Sequence, residues 1–222
     1  MKFIYSCIWC LSLWLLCSQA GYAQNGADTI RTQGIRIGVD IGKIAYYFLT
    51  NNTNKTLEFS ADMSYKKLLL VGEAGYNLLD ITKETYTYNS NGLFARVGVE
   101  HNILKGGGDN YIFVGARYGI GQFSYQASDI ELVDDFWGNQ QANSAKQAVT
   151  AHWGEAVGGV KVNVFGNVFL GFTARFKLRI AESDYGEVDP LLIPGFGNPI
   201  RRNAMGFNYY VYYLIPLKRN KL

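Results

Sequence analysis

The sequence is poor in cysteine. Its three cysteines are Cys7, Cys10 and Cys17, and none follows. The rest of the chain therefore forms no disulfide and offers no thiolate to a metal ion. Cys17 does not mark a lipoprotein signal well, because the large Leu16 precedes it where a small residue is required. With only two histidines in the chain, we predict neither a metal site nor a cofactor.

The first 23 residues have the composition of an export signal. Lys2 gives a short positive start, residues 4–17 are mostly apolar, and Gly21-Tyr22-Ala23 fits a small-x-small cleavage site. We therefore predict a secretory signal peptide at residues 1–23 and one mature domain at residues 24–222. The expected compartment lies beyond the inner membrane.

The predicted mature chain also lacks long apolar runs and a strong charge excess. No stretch approaches the roughly 20 apolar residues that a membrane-spanning helix needs. Without Lys2 the 21 basic residues become 20, against 18 acidic ones, so the net charge is near +2. A nucleic-acid-binding domain would need clustered basic residues. We therefore predict no nucleic-acid partner.

Two-residue alternation is the dominant pattern that the chain does have. In residues 168–180 (VFLGFTARFKLRI), the even-numbered positions are all apolar, whereas Arg175, Lys177 and Arg179 lie on the opposite face. A period of two is the signature of a β-strand. A strand that hides three cations on one face and is apolar on the other fits either a soluble sheet or a membrane barrel.

Seven further segments repeat this alternation, which favours the barrel. The eight predicted strands are residues 34–41, 56–65, 68–77, 93–103, 111–124, 153–164, 168–180 and 206–217. Each has one apolar face and one polar or glycine-rich face, as in transmembrane barrels. The predicted fold is all-β: an eight-stranded antiparallel up-and-down transmembrane β-barrel. A soluble sandwich is the competing interpretation, but it would mix the two faces more.

The lengths of the connections alternate and predict an orientation. Strands two and three, four and five, and six and seven are joined by short segments, whereas residues 42–55, 78–92, 125–152 and 181–205 form long ones. Outer-membrane barrels keep short turns on the periplasmic side and long loops outside. We therefore predict a bacterial outer-membrane location with both termini in the periplasm and outer-membrane lipid and lipopolysaccharide as surroundings.

The inward faces of the predicted strands carry nearly balanced charge. An eight-stranded barrel has an interior that side chains just fill, and buried charges persist only when they are paired. We therefore predict a lumen sealed by an ionic network, with the cations of residues 168–180 facing acids across it. Its predicted members are six acids and seven bases: Arg36, Asp40, Glu58, Asp62, Glu73, Arg96, Glu100, Arg117, Glu155, Lys161, Arg175, Lys177 and Arg179.

Two kinds of segment depart from the strand pattern. Ile41, Ile44, Ala45 and Phe48 lie at helical spacing, which predicts a short amphipathic helix at about residues 42–50. Apolar residues in two of the long loops either bind a partner, such as another envelope protein, or fold back over the barrel mouth. These candidates are Phe136, Trp137, Leu191, Leu192, Ile193 and Phe196.

Four runs carry a resemblance to a known family: GIRIGVDIGK near the start, AHWGEAVGGVKVNV at 151–164, LLIPGF at 191–196 and GFNYYVYYLIPL at 206–217. Together they resemble an uncharacterised Bacteroidota family of outer-membrane β-barrel proteins, a domain of unknown function. The resemblance implies the same barrel and compartment and supplies no catalytic residues. The architecture is similar to OmpA- and OmpX-type barrels, without the periplasmic peptidoglycan-binding domain.

Three functions remain open at this point. The first is a structural or interaction role in the cell envelope, and the second is a narrow channel for small solutes or ions. The third is a lipid A-modifying enzyme, for which His152 is the better of the two histidines, with Ser144, Asp129 or Glu155 as conceivable partners. A histidine beside a tryptophan at a membrane surface is more often an anchor. We therefore predict that the protein is not an enzyme.

Overall fold

The computed structural model describes residues 31–50, 53–65, 68–104, 108–132, 140–186 and 188–220. The predicted signal peptide at 1–23 and the side chains of Phe136 and Trp137 lie outside the described residues. The elements are, in chain order, β1 (Arg31–Asp40), α1 (Ile41–Thr50), β2 (Asn54–Tyr65), β3 (Leu68–Lys83), β4 (Tyr86–Asn102), β5 (Tyr111–Ser128), β6 (Ile130–Leu132), β7 (Gln140–Ala142), β8 (Gln147–Phe165), β9 (Val168–Glu182) and β10 (Asn203–Asn220).

Eight of these strands close into one antiparallel barrel. The order around it is β1-β10-β9-β8-β5-β4-β3-β2, while β6 and β7 form a small separate hairpin. The predicted all-β, eight-stranded up-and-down barrel is therefore confirmed. The short helix is confirmed as well, as α1 directly after β1.

One predicted loop is wrong. Residues 78–92 were expected to form a long connection, but β3 continues to Lys83 and β4 begins at Tyr86, with a turn at Glu84 and Thr85 between them. Ile81 pairs with Tyr88 in this extension. β-branched and aromatic residues favour strand, and they extend this hairpin even though its outer face is polar.

The strands are strongly staggered around the barrel. In one direction the register leads from Met63 on β2 through β3, β4, β5, β8 and β9 to Met205 on β10. In the other direction it leads through Ile35 to Ile215, ten residues further along β10. Such a stagger tilts the strands, and eight tilted strands enclose a space that side chains can fill.

The barrel has two different ends. The loop end carries α1, the β3–β4 hairpin and residues 183–202, whereas the turn end carries the Gly166–Asn167 turn and both ends of the described chain. Apolar side chains fill the interior at each end. The loop-end cluster comprises Leu79, Tyr88, Phe94, Phe123, Tyr125, Ala127, Val149, Ala151, Trp153, Ile193 and Phe196. The turn-end cluster comprises Leu69, Val71, Tyr111, Phe169, Tyr210, Tyr212 and Leu214.

Candidate functional site

Between the two apolar clusters lies a layer of charge. Strand alternation turns every second side chain inward, and twelve of the thirteen predicted lumen charges are buried. The thirteenth, Arg179, lies at the loop-end mouth with 13% of its side chain exposed. We call the ten residues that form the central ion pairs the ionic layer: Arg36, Glu58, Asp62, Glu73, Arg96, Glu100, Arg117, Glu155, Lys161 and Arg175.

Glu73 on β3 is the centre of the layer because three arginines share its carboxylate. Arg96 donates to it at 2.7 Å and Arg117 at 2.5 Å. Arg175, which comes from β9 across the lumen, donates through both terminal nitrogens at 2.7 and 2.9 Å. This bidentate fork is the strongest geometry available to a guanidinium and a carboxylate. One acid thus joins β3 to β4, β5 and β9.

Glu58 on β2 is the second shared acid. It accepts from Arg96 at 2.6 Å and from the hydroxyl of Tyr210. Asn208 donates to it at 3.3 Å, and the ammonium of Lys43 forms an ion pair with it. β4, β10 and α1 therefore all contribute partners to this carboxylate on β2.

A chain of pairs continues from the centre towards the turn end. The Nε atom of Arg36 donates to Asp62 at 2.7 Å. Lys161 bridges Asp62 at 2.8 Å and Glu100 at 2.9 Å, and Glu100 in turn pairs with Arg117. Acids and bases therefore alternate in one connected network from β1 to β8.

Glu155 connects the ionic layer to the loop-end cluster. Its carboxylate lies 3.1 Å from Arg96 Nε and 3.2 Å from Arg175 Nη1. It also accepts a 2.7 Å hydrogen bond from the indole nitrogen of Trp153, the largest side chain of the loop-end cluster. The polar edge of the tryptophan is satisfied by the ionic layer while its ring packs against Phe196 at a centroid distance of 6.0 Å.

Two cations of β9 bind backbone carbonyl groups. The ammonium of Lys177 donates to the carbonyls of Gly195 at 2.8 Å and Phe196 at 3.1 Å. Within the described residues, Lys177 has no ion pair with a carboxylate. Arg179 donates to the carbonyl of Pro199 and pairs with Glu182 at 2.8 Å. These two side chains therefore tie a loop to the barrel wall.

Residues 193–197 of that loop form a tight turn inside the mouth, which we call the plug turn. Ile193 and Gly197 exchange two backbone hydrogen bonds of 2.9 Å. Gly195 and Gly197 have φ angles of 76° and 126°, which side chains other than glycine rarely adopt. The Cα of Gly195 packs against the ring of Phe94, where a side chain would collide.

Most of the loop candidates for partner binding that this part of the structure describes fold back into the barrel mouth, the second of the two predicted alternatives. Ile193 is 1% exposed and Phe196 is 2% exposed, since both belong to the loop-end cluster, and Leu192 is half-buried against that cluster. Apolar residues in this loop therefore fill the barrel mouth. Among the predicted candidates in this loop, Leu191 is exposed, with 46% of its surface accessible.

Beside the plug turn, the phenol of Tyr185 meets the rim charges. Its hydroxyl donates to Glu182, and Arg179 donates to that hydroxyl at 3.2 Å. Burial, followed by the hydrogen bond to Glu182, raises the pKa of Tyr185 above its ordinary value. The phenol therefore stays protonated and keeps donating at neutral pH.

Several residues that take part in the buried network were not predicted from the sequence. Lys43 belongs to the predicted helix, yet its side chain reaches back into the lumen to Glu58. Asn208 and Tyr210 lie on the inward face of β10 and complete the bonds of Glu58. Alternation along β10 could have identified this pair, because Asn208 and Tyr210 lie on either side of Tyr209, whose side chain points outward. The plug-turn carbonyls have no sequence signal.

The structure does not assemble the conceivable lipid-editing site. His152 Nδ1 lies 2.7 Å from the hydroxyl of Tyr118 on the outer face. Glu155 points into the lumen, and Ser144 is buried in the loop. Among the described hydrogen bonds, none joins His152 to Ser144, Asp129 or Glu155.

Neither a membrane-spanning helix nor a metal-binding cluster occurs among the described residues. No helix in this part of the chain is long and apolar enough to cross a membrane. No group of three or more histidine, cysteine or acidic side chains here has an arrangement that could hold a metal ion.

Comparison with known proteins identifies a family. The profile of the family Domain of unknown function (DUF6048) matches residues 1–220, so the chain belongs to that family. Among solved structures, the barrel is similar to Neisserial surface protein A (NspA), with 14% identity, a TM-score of 0.31, and coverage of 89% of this chain and 100% of that chain. A likeness at this level supplies no argument about function. No curated protein matches the sequence.

Proposed function

We propose that the protein is a structural barrel of the bacterial outer membrane whose lumen is closed by the ionic layer and the plug turn. Its loop end faces outward, both termini lie in the periplasm, and outer-membrane lipid and lipopolysaccharide surround it. The network around Glu73 is the observation that carries the closure, and the apolar exterior is the observation that carries the membrane location.

The exterior of the barrel supports insertion into lipid. Large apolar side chains are exposed on all eight barrel strands. Phe59, Val97, Val114 and Tyr213, for example, are 49–62% exposed. A contiguous exposed apolar surface of this extent is rare on soluble monomers. A closed barrel also satisfies the backbone hydrogen bonds of its paired strands, as hydrocarbon requires.

The interior supports closure. Every residue of the ionic layer is at most 4% exposed. Each of its acids contacts at least two cationic groups, as Glu73 does with Arg96, Arg117 and Arg175. An open pore would leave these groups hydrated and apart. Buried charges at such distances support the proposal that the lumen conducts neither solutes nor ions. The narrow channel is therefore the less favoured function.

Recordings of single-channel conductance in planar bilayers test the closure. Wild-type protein is expected to give no steady current steps. The double variant Arg175→Ala/Phe196→Ala removes one side chain from the ionic layer and one from the plug turn, and it is expected to conduct. Leu191→Ala/Arg201→Ala is the matched control, because both of its side chains are exposed. Steady steps from the wild type would refute the sealed lumen.

Fractionation tests the membrane location separately. The protein is expected in the outer-membrane fraction, to need detergent for solubility, and to change its mobility on a denaturing gel after heating. A mature chain that is soluble without detergent would refute the membrane barrel. The exposed Leu191 leaves the loop end available for another envelope protein, and crosslinking from that position tests such a contact.

A further inference from the structure

The barrel wall is interrupted at one place on its loop-end side. β1 pairs with β2 only as far as Val39 and with β10 only as far as Asp40. Residues 54–58 of β2 pair with β3 alone, and residues 203–209 of β10 pair with β9 alone. Among the described residues, no strand occupies the space between these two edges. We call this space the slot.

The slot lies within the apolar exterior. The outward side chains that border it above the end of β1 are Leu57 on one edge and Phe207 and Tyr209 on the other, 43%, 61% and 53% exposed. Met205, still nearer the loop end, is 76% exposed. Since the apolar surface continues past the end of β1 on both edges, the slot opens towards the same hydrocarbon as the rest of the wall.

Helix α1 lies against both edges of the slot, since it contacts β2 and β10. One missing strand leaves a gap of about 5 Å between its neighbours, and an α-helix with its side chains is about 10–12 Å across, so the helix covers the slot rather than lying within the sheet. Asp40 is the last residue of β1 and caps the start of α1. Its carboxylate accepts from the backbone nitrogens of Gly42 at 2.9 Å and Lys43 at 3.3 Å as an N-cap, and from the edge nitrogen of Tyr209 at 3.3 Å.

The exposed side of the helix is apolar, and its one charged side chain turns inward. Tyr46, Phe48 and Leu49 are 57%, 72% and 84% exposed, and no residue of α1 is buried. Lys43 is its only charged residue, and the ammonium group passes inward to Glu58. A helix with so apolar an exposed surface is expected to contact lipid rather than water.

A cleft of about 340 Å³ remains between the helix and the two strand edges. Its outer lining is Tyr46, Phe207 and Tyr209, and its inner lining is Lys43, Asn54 and Thr56. Asn54 and Thr56 face the lumen, as shown by their hydrogen bonds of 2.5 and 2.7 Å from the buried Asn77. Because residues from both faces of the sheet line the cleft, it extends into the barrel wall and is not a shallow depression on the outer surface.

The cleft has a polar residue at its loop end and apolar residues deeper in the wall, which is the order that a membrane lipid requires. Asn54 is the loop-end residue of β2, whereas Tyr209 lies beside the last residue of β1, deeper in the apolar exterior. Lys43 is 29% exposed and uses one carboxylate partner at close range, so its ammonium, with three donors, retains capacity for an acceptor oxygen. Small-ligand sites begin at about 300 Å³.

We propose that this cleft binds one phospholipid of the outer membrane. One acyl chain lies against Phe207 and Tyr209 under α1, and ester or phosphate oxygens of the head accept from the ammonium of Lys43 on the inner lining of the cleft. This proposal rests on the proposed membrane location. A larger groove of about 480 Å³ on β2–β5 is lined chiefly by outward apolar residues such as Tyr76 and Leu93, so it offers a head group nothing comparable to Lys43.

Native mass spectrometry of the detergent-purified barrel with palmitoyl-oleoyl phosphatidylglycerol tests the site. Wild type is expected to retain one lipid per chain at equimolar lipid. Gly42→Leu fills the cleft, because a side chain there would point to the ring of Tyr209 at 3.0 Å, and is expected to abolish retention. The matched control is Gly72→Leu on the outer face of β3, where nothing lies within 4 Å of the added carbon, and it is expected to retain the lipid.

A second pair of variants tests the polar end. Lys43→Met keeps an apolar stem of similar length and is expected to weaken lipid binding about tenfold, the usual cost of losing a charged hydrogen bond. Glu58 keeps Arg96, Asn208 and Tyr210 as partners, so the barrel is expected to stay folded. Lys83→Met on the β3–β4 hairpin is the control.

The outcomes separate the two proposals. A wild-type barrel that is membrane-inserted and heat-modifiable but retains no lipid refutes the cleft and leaves the membrane location intact. Equal retention by Gly42→Leu and Gly72→Leu refutes it too, as does a mass of two chains in place of the lipid adduct, which would identify a second copy as the occupant. A soluble chain refutes both proposals.

Discussion

The ionic layer and the loop-end cluster fill neighbouring levels of the same lumen with opposite chemistry. In the ionic layer, Glu73 gathers three arginines at 2.5–2.9 Å. In the loop-end cluster, aromatic rings such as those of Trp153 and Phe196 pack together, with their centroids 6.0 Å apart. Side chains are buried at both levels, but we expect the two levels to fail in different ways when one side chain is removed.

The ionic layer and the loop-end cluster differ in how strictly they specify the register of the strands. Replacing a buried ion pair by apolar residues of similar volume is often neutral or favourable, whereas removing one partner alone is costly. Apolar packing accepts many partners of similar size. A one-residue slip of any strand would turn its ionic-layer residues to the apolar exterior. The ionic layer therefore penalises wrong strand registers more strongly than the loop-end cluster does.

The largest effect is expected from Glu73→Ala, which leaves Arg96, Arg117 and Arg175 without their shared acid. Breaking a buried ionic arrangement in this way costs about 3–5 kcal/mol. Urea unfolding of the barrel in lipid vesicles measures the change in the free energy of unfolding. Asp80→Ala, an exposed acid on the same strand, is the control. If Glu73→Ala prevents folding, Glu73→Gln gives the measurable intermediate, and a loss below about 1 kcal/mol for both variants would contradict the prediction.

A smaller loss is expected from overpacking the loop-end cluster. The ring of Trp153 lies against Gly119, where an added methyl carbon would be 2.6 Å from Cζ2. Gly119→Ala should therefore cost about 1–3 kcal/mol in the same unfolding measurement. Gly72→Ala adds the same methyl group in open space and should be close to neutral. Equal effects of the two substitutions would show that the ring moves aside freely.

The third effect is local. Lys177→Met removes both hydrogen bonds to the plug-turn carbonyls, of Gly195 and Phe196, while Ile193 and Phe196 stay packed in the loop-end cluster. Hydrogen exchange of the Ile193 and Gly197 amides is expected to quicken about tenfold, with little change in global stability. Lys83→Met is the control. Unchanged exchange would mean that apolar packing alone holds the plug turn.

The contrast between the two levels also explains what the sequence could predict. Alternation assigns a face to each strand residue, and this suffices to place Glu73 and Arg175 in the lumen. It does not tell which acid meets which base, because that depends on the stagger between strands. Apolar loop residues such as Phe196 follow no periodic pattern. From the sequence, a partner-binding surface therefore cannot be distinguished from a loop that folds into the barrel mouth. Lys43 was missed because the direction of its side chain depends on the slot.

The smallest effect is expected from salt. A Debye length falls from about 14 Å at 0.05 M to about 3 Å at 1 M salt, which weakens exposed pairs but not pairs that water and ions cannot reach. Arg175 and Glu73 have 0% side-chain exposure, whereas Arg179 and Glu182 have 13% and 29%. The free energy of unfolding should therefore change by less than about 1 kcal/mol over this range. A larger loss that disappears in Glu73→Gln would mean that ions enter the ionic layer, and the lumen would then be wet.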